Sequence, residues 1–325
     1  MFEENLPVEK QQKKFFKYLG EGSEYAIIYF KNLFLTIFSL GLYYPWAKVE
    51  KLKYHYQSAE FDNSRFNFSG TGKEVFKGFI KLYIILITLY GLLILGTLTD
   101  NNTLTLSFFF IFYLTIFLLI PFAIHGTARY RSSRSSWKGI YFKYIGDRKK
   151  LFNIYIKGFL LTIITFGIYG AWFSVDVRKY ILGNLKFGNL SFNFKGTGDK
   201  LFWIHLKMIL LMYPTLGIYS FWYQKELIQY YANNTDITQD GKTINFKSNL
   251  EVGHIFELVL LNGIILIFTL GIGLPWTQVR TLKFMLNFLE IEEGLDTENI
   301  KQAEYDDFDD ATGEDFLDFL DIDLV

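Results

Sequence analysis

Residues Phe16 to Gly91 and Phe142 to Gly217 match one another without a gap at a constant offset of 126 residues. The identities fall at demanding positions: Lys31/Lys157, Thr36/Thr162, Gly41/Gly167, Tyr43/Tyr169, Trp46/Trp172, Phe66/Phe192, Phe68/Phe194 and the Gly70-Thr71-Gly72/Gly196-Thr197-Gly198 turns. A chain with that register reads as a tandem duplication. Each copy carries apolar stretches too long and too continuous for a surface helix, so the duplicated unit is expected to sit in a membrane.

Six such stretches can be marked, roughly Tyr25 to Trp46, Gly78 to Leu98, Leu104 to Ile124, Ile154 to Phe173, Leu201 to Tyr223 and Phe256 to Trp276. The expected fold is an all-α integral membrane protein with six hydrophobic helical segments, some re-entrant, joined by surface helices and short aromatic hairpins. The expected divisions are a polar segment 1–15, membrane repeats 16–141 and 142–289, and an acidic tail 290–325. That tail holds 15 Asp or Glu against one Lys, which leaves the body at about +14 within a chain balanced at 33 basic and 33 acidic residues. A basic body suits loops that face anionic head groups or obey positive-inside topology. The charge density of Gly294 to Asp315 predicts disorder, whereas the apolar residues of the last ten predict weak, salt-sensitive docking on the protein's own basic helices or on a basic partner.

Four segments end in one signature, Thr/Ser-x-Gly-hydrophobic-aromatic-x-x-Trp. Its candidate residues are Gly41, Tyr43 and Trp46, Gly167, Tyr169 and Trp172, Gly217, Tyr219 and Trp222, and Gly271, Pro275 and Trp276. Gly or Pro near a helix end in lipid needs partners for freed backbone groups, and the aromatics that follow suit an interfacial anchor. Basic amphipathic runs follow each signature, as in Lys48-Val49-Glu50-Lys51-Leu52-Lys53-Tyr54. Alternating segments such as Arg65-Phe66-Asn67-Phe68 and Ser191-Phe192-Asn193-Phe194 predict short hairpins. Gly70-Thr71-Gly72 reads as a turn with a helix N-cap, because a nucleotide loop would need a Lys-Ser/Thr that is missing. Arg129, Arg131, Arg134 and Lys138 form a juxtamembrane cluster suited to lipid head groups.

Taken together, the repeated ending, the basic helix after it, the FxFxGTG turn and the Arg129-Tyr130-Arg131 to Trp137-Lys138-Gly139-Ile140 stretch resemble the YjgN family of bacterial inner-membrane proteins over about residues 16 to 289. The resemblance implies a multi-pass protein of the cytoplasmic membrane with no assigned chemistry. Gly273-Leu274 departs from the aromatic pattern of the other three signatures.

Six full spans of a three-segment repeat would invert the second copy and put one basic connector outside. Re-entrant signature segments, with only the second and third segments crossing, keep every basic loop on one side. Thr99-Asp100-Asn101-Asn102-Thr103, free of Lys and Arg, is then external. No cysteine is present, and His55, His125, His205 and His254 occur singly, outside metal-ligand spacing. With no nucleophile elbow or paired carboxylates, the expectation is a non-enzyme without metal or cofactor and without a nucleic-acid partner. The N-terminus lacks the apolar core of a signal peptide. Two functions stand level: permeation of a small solute or ion, and lipid binding or membrane scaffolding without transport.

Overall fold

The computed structural model describes residues 14–99 and 101–302. Element order falls into five successive strand–helix–helix–strand units. The first is β1 (Lys14–Tyr18), α1 (Gly22–Phe38), α2 (Tyr44–Ser58) and β2 (Ala59–Phe61). The second is β3 (Ser64–Phe68), α3 (Gly72–Leu98), α4 (Asn102–Arg134) and β4 (Ser135–Trp137). The third is β5 (Ile140–Tyr144), α5 (Arg148–Ile164), α6 (Gly170–Gly183) and β6 (Leu185–Phe187). The fourth is β7 (Leu190–Phe194), α7 (Gly198–Met212), α8 (Ser220–Asn233) and β8 (Thr235–Gln239). The fifth is β9 (Lys242–Ser248), α9 (Val252–Phe268), α10 (Leu274–Asn287) and β10 (Leu289–Ile291).

These strands overturn the all-α expectation. Every strand pairs antiparallel with its two neighbours, and β1 pairs with both β2 and β10, so ten short strands close a β-barrel. The helices follow the same circle: each packs on its chain neighbours and α1 packs on α10. Local pattern does specify the hairpins. Asp62-Asn63, Lys138-Gly139 and Asp240-Gly241 all have positive φ at both positions, the conformation of a two-residue turn whose twist suits paired strands. Alternate strand residues point inward, where Phe61, Trp137, Phe187, Leu190, Ile237 and Ile244 fill the barrel. At about 1.5–3 kcal/mol for each large apolar side chain removed from water, this interior holds the circle together. Trp137 also ties two strands, its Nε1–H donating to the carbonyls of Phe61 (3.1 Å) and Ser64 (3.0 Å).

The six expected segments become ten helices because each signature-bearing segment breaks at its glycine. Only α3 and α4 are long and apolar enough to cross a membrane among the described residues. The expected boundary at residue 290 falls inside β10, and the chain beyond it crosses the hairpin-turn end of the barrel. Leu295 and Ile300 are buried there. Thr297 Oγ1 donates to Asp62 (2.5 Å), Gln239 Nε2 to the Asp296 carbonyl (2.8 Å), and the Tyr141 amide to Gln302 Oε1 (2.7 Å). The rest of the acidic tail lies outside the described residues.

Candidate functional site

At the tips of the four short helical hairpins the signature acquires a physical meaning. Leu40, Phe166, Leu216 and Leu270 adopt φ near +50°, and the following Gly41, Gly167, Gly217 and Gly271 have φ of 85–93°. Each glycine N–H donates five residues back, to Thr36, Thr162, Met212 and Leu266 carbonyls at 2.7–2.9 Å, ending the first helix as a Schellman turn does. The signature hydroxyl then serves both helices. Thr215 Oγ1 donates to the Leu211 carbonyl (2.6 Å) and accepts the Tyr219 amide (3.1 Å). Thr165 bridges Leu161 and Tyr169, Thr269 bridges Ile265 and Gly273, and Ser39 bridges Thr36 and Tyr43. The tips thereby keep these backbone groups bonded within themselves while Leu40, Phe166, Leu216 and Leu270 stand 84–97% exposed. That combination is what a lipid environment demands. A Cβ on these four glycines would meet nothing within 4 Å, so their backbone conformation, and no close neighbour, selects glycine.

A charge level lies below the tips. Lys31 pairs with Glu50 and Lys207 Nζ with Glu226 (2.8 Å) across their hairpins, Lys157 and Asp176 hold the matching positions, and Arg280 reaches Glu257 (3.7 Å) in the fifth unit. From Lys31 to Leu40, or Lys207 to Leu216, the helix rises ~14 Å at 1.5 Å per residue. Bilayer hydrocarbon is ~30 Å thick, so these hairpins match half of it. The second unit differs. Tyr54 to Tyr130 spans 76 residues, whereas Tyr130 to Tyr180 and Tyr180 to Tyr230 span 50, so its hairpin carries 26 more. α3 has 27 residues against 17 in α1, and α4 has 33 against 15 in α2, which adds at least ~15 Å, enough for the full thickness.

The signature aromatics join units together. Tyr43 stacks on Trp46, Tyr169 on Trp172 and Tyr219 on Trp222, with centroids 6.0–6.5 Å apart. Trp46 then covers Gly72, Trp172 covers Gly198 and Trp276 covers Gly22, each so closely that a Cβ there would come within 2.2–2.5 Å of the indole. Phe122 takes this place in the second unit, under Arg148. Pro275 starts α10, where its missing N–H costs nothing, as Pro45 does in α2. Three of the bases have a tyrosine latch that sequence reasoning passed over. Tyr54 Oη donates to the Glu21 carbonyl and accepts its amide, Tyr180 does the same at Asp147, and Tyr230 reaches the Thr197 carbonyl, all 33 residues apart. The 50-residue spacing of Tyr130, Tyr180 and Tyr230 was the available signal. The GTG turn is an N-cap in the second unit, where Thr71 and Glu74 form a reciprocal capping box.

The basic cluster is divided by the fold. Arg134 Nη2 pairs with Glu74 (3.1 Å) at the base of α4, whereas Lys138 sits on the far hairpin turn, paired with Asp62 (3.6 Å) and over the Trp137 ring. Arg129 is half-buried on α4, and Arg131 lines a cavity of about 170 Å³ at the junction of α4 with β3, β5 and α6. Histidines serve packing. His55 Nδ1 meets the Tyr18 hydroxyl (2.7 Å), and burial pushes its pKa down to about 3. His125 packs edge-on against Tyr144, His205 meets the Tyr223 hydroxyl, and His254 stacks on Phe288 beside the α9 N-terminus. No group of three or more metal-ligating side chains gathers among the described residues.

A family model described as "Bacterial protein of unknown function (DUF898)" matches residues 13–147, 141–203 and 208–319. A protein named inner membrane protein YjgN from Salmonella typhimurium is 24% identical over 170 residues, which is 49% of this chain and 41% of that protein. One of the same name from Escherichia coli strain K12 is 30% identical over 147 residues, 44% of this chain and 32% of that protein. The chain thus spans less than half the length of the curated relatives it matches. No solved structure matches it.

Proposed function

The chain belongs to the DUF898 family of bacterial proteins of unknown function, and on that premise we propose that it is a non-transporting, lipid-binding protein of the bacterial inner membrane that seats four half-depth hairpins in the cytoplasmic leaflet. The names of its relatives support the inner membrane. The observation that carries the reading is the set of four self-satisfied apolar tips, 84–97% exposed, those of the first and fourth units ~14 Å beyond a Lys–Glu pair. In this reading α3 and α4 alone cross, the barrel and every basic connector stay cytoplasmic, and the charge level lies among the head groups. The five units are read as copies of one building block. The barrel interior, filled by Trp137, Phe187, Ile237 and Ile244, argues against a solute path along its axis. No catalytic role is part of the proposal.

Because the chain has no cysteine, single labels test this directly. With cysteines at Asn102, Leu216 and Asn193, an impermeant reagent added outside should reach Asn102 alone. A nitroxide at Leu216 should report a depth near the bilayer midplane. Labelling of Leu216 from outside would mean that the short hairpins span, and flux in proteoliposomes above protein-free controls would restore the permease.

A further inference from the structure

The five units repeat one cross-strand pair on the outer face of the barrel. The residue just before each of the buried Tyr18, Phe68, Tyr144, Phe194 and Ser248 stands opposite a residue of the neighbouring strand. In four units that pair is Lys17 with Glu60, Asn67 with Ser136, Asn193 with Asp236 and Lys247 with Glu290. Wherever a charge occurs, a counter-charge meets it. Lys17 reaches Glu60 (3.9 Å), Lys195 reaches Asp236 (3.4 Å) and Lys247 reaches Glu292 (2.5 Å). The third unit breaks the rule, because there Lys143 stands opposite Lys186. Like charges directly opposite one another disfavour the pairing of their strands. The offset of 126 makes the change explicit: Lys143 repeats Lys17, but Lys186 stands where the first copy has Glu60.

More cations continue the same column. Arg148, Lys149 and Lys150 are exposed at the start of α5, and neither they nor Lys186 make an ion pair among the described residues. Lys186 Nζ donates to the Ser191 hydroxyl (2.7 Å), and Asp147, the acid within this stretch, turns its carboxylate to the Lys150 amide as a helix cap (2.8 Å). The chain itself carries anions to this wall. Its crossing segment ends against β5, where the Tyr141 amide donates to Gln302 Oε1 (2.7 Å). Lys143 stands two residues farther along the same face of β5, ~7 Å away. Residues 303–325, outside the described residues, hold ten Asp or Glu and no Lys or Arg. At up to ~3.3 Å for each residue, that length reaches any point of the column. We infer that residues 303–325 dock in cis on the outer wall of the third unit, their carboxylates neutralising Lys143 and Lys186 and extending to the α5 cations. This site is a strand pair, whereas the sequence pointed to the basic helices. The inference does not depend on the lipid-binding reading.

The test uses the full chain in nanodiscs and a carbodiimide, which joins lysine amines to carboxylates in direct contact. Cross-links from Lys143 or Lys186 to residues 304–323 should form at low salt and fall away at about 0.5 M salt, where the screening length is ~4 Å. Lys186→Glu restores the Lys–Glu pair of the first unit, so the melting temperature should hold or rise. Cleavage by glutamyl endopeptidase at Glu304 and Glu314 should nevertheless become about fivefold faster, the yield of two or three exposed ion pairs. Lys77→Glu, the same charge change on the exposed face of α3, should leave that rate unchanged. Cross-links concentrated on the Lys48–Lys53 stretch of α2, or equal release by Lys77→Glu, would overturn the site. Mixing chains of light and heavy nitrogen identifies a second copy as occupant: links formed only between unlike chains would overturn docking in cis. Acetylation of lysine amines addresses lipid head groups as occupant. Protection of Lys186 should be lost when Asp306, Asp307, Asp309 and Asp310 are all replaced by asparagine. Protection that survives this change in phosphatidylglycerol discs and vanishes in phosphatidylcholine discs would give the wall to lipid and overturn the inference.

Discussion

Replacing Thr215 by valine tests what the hairpin tips are built for. The change preserves shape and removes one oxygen, which donates to the Leu211 carbonyl and accepts the Tyr219 amide. The Leu211 carbonyl retains the Thr215 amide as a donor, so the loss falls on the Tyr219 N–H. In water that N–H would be rehydrated and the change nearly neutral. In hydrocarbon it stays unsatisfied, at about 1–3 kcal/mol. The expected result is therefore a roughly 5- to 150-fold shift of the unfolding equilibrium toward the unfolded state in bilayer nanodiscs. Thr215→Ser should recover most of it. Thr88→Val, which removes a hydroxyl that only donates to the Ile84 carbonyl, supplies the control and should cost less. Steric-trap unfolding in nanodiscs measures all three. Thr215→Val no more costly than Thr88→Val would refute the argument that the tip satisfies its backbone against lipid.

Gly217→Leu forces a leucine to φ +85° and should destabilise by about 1–2 kcal/mol, whereas Gly91→Leu, in an ordinary helix with open space around it, should be tolerated in the same assay; equal tolerance would reduce the signature glycine to an anchor's neighbour. His55 is held neutral by burial, its pKa lowered from 6.5 to about 3, so it contributes stability fully present above pH 6.5 and lost as pH falls toward 3. Melting temperature in detergent should drop over that window and drop less in His55→Gln; identical pH profiles would contradict the assignment. Gly188→Val places a Cβ 2.5 Å from the Lys301 carbonyl at φ +54° and should lift the crossing segment off the barrel, read as faster tryptic cleavage at Lys301; an unchanged rate would show the segment is held elsewhere.

Much of the helical half of this fold was legible in the residues. Gly41 and its three counterparts mark the ends of helices, Thr71 marks a cap, and the cluster of Lys and Arg after each signature separates short hairpins from the Lys-free loop around Asn102. The barrel was not legible, for a physical reason. Strands as short as Ala59–Phe61 and Ser135–Trp137 carry too few residues for a period-two pattern to exceed chance, and each finds one of its partners across an intervening helical hairpin. The pair that closes the circle, Lys14 with Ile291, is separated by nearly the whole described chain. The 126-residue offset was real but misleading, because it steps over two units at once and hides the shorter spacing that the tyrosine latches follow.

Closure of the barrel by its first and last strands has a consequence for how the protein is made. Each helical hairpin can form as soon as it leaves the ribosome, since its two helices pack on one another. β1 cannot. One edge pairs early with β2, but the other waits until β10 emerges, after all five hairpins have been synthesised. Until then the growing sheet is an open arc with a bare edge at each end, and its aromatic face lacks the cover of residues 295–300. Any pause or cleavage before Ile291 therefore leaves a chain with an adhesive sheet edge, the kind of surface that pairs with another copy. Biogenesis of this fold depends on the last strand arriving before a neighbour does.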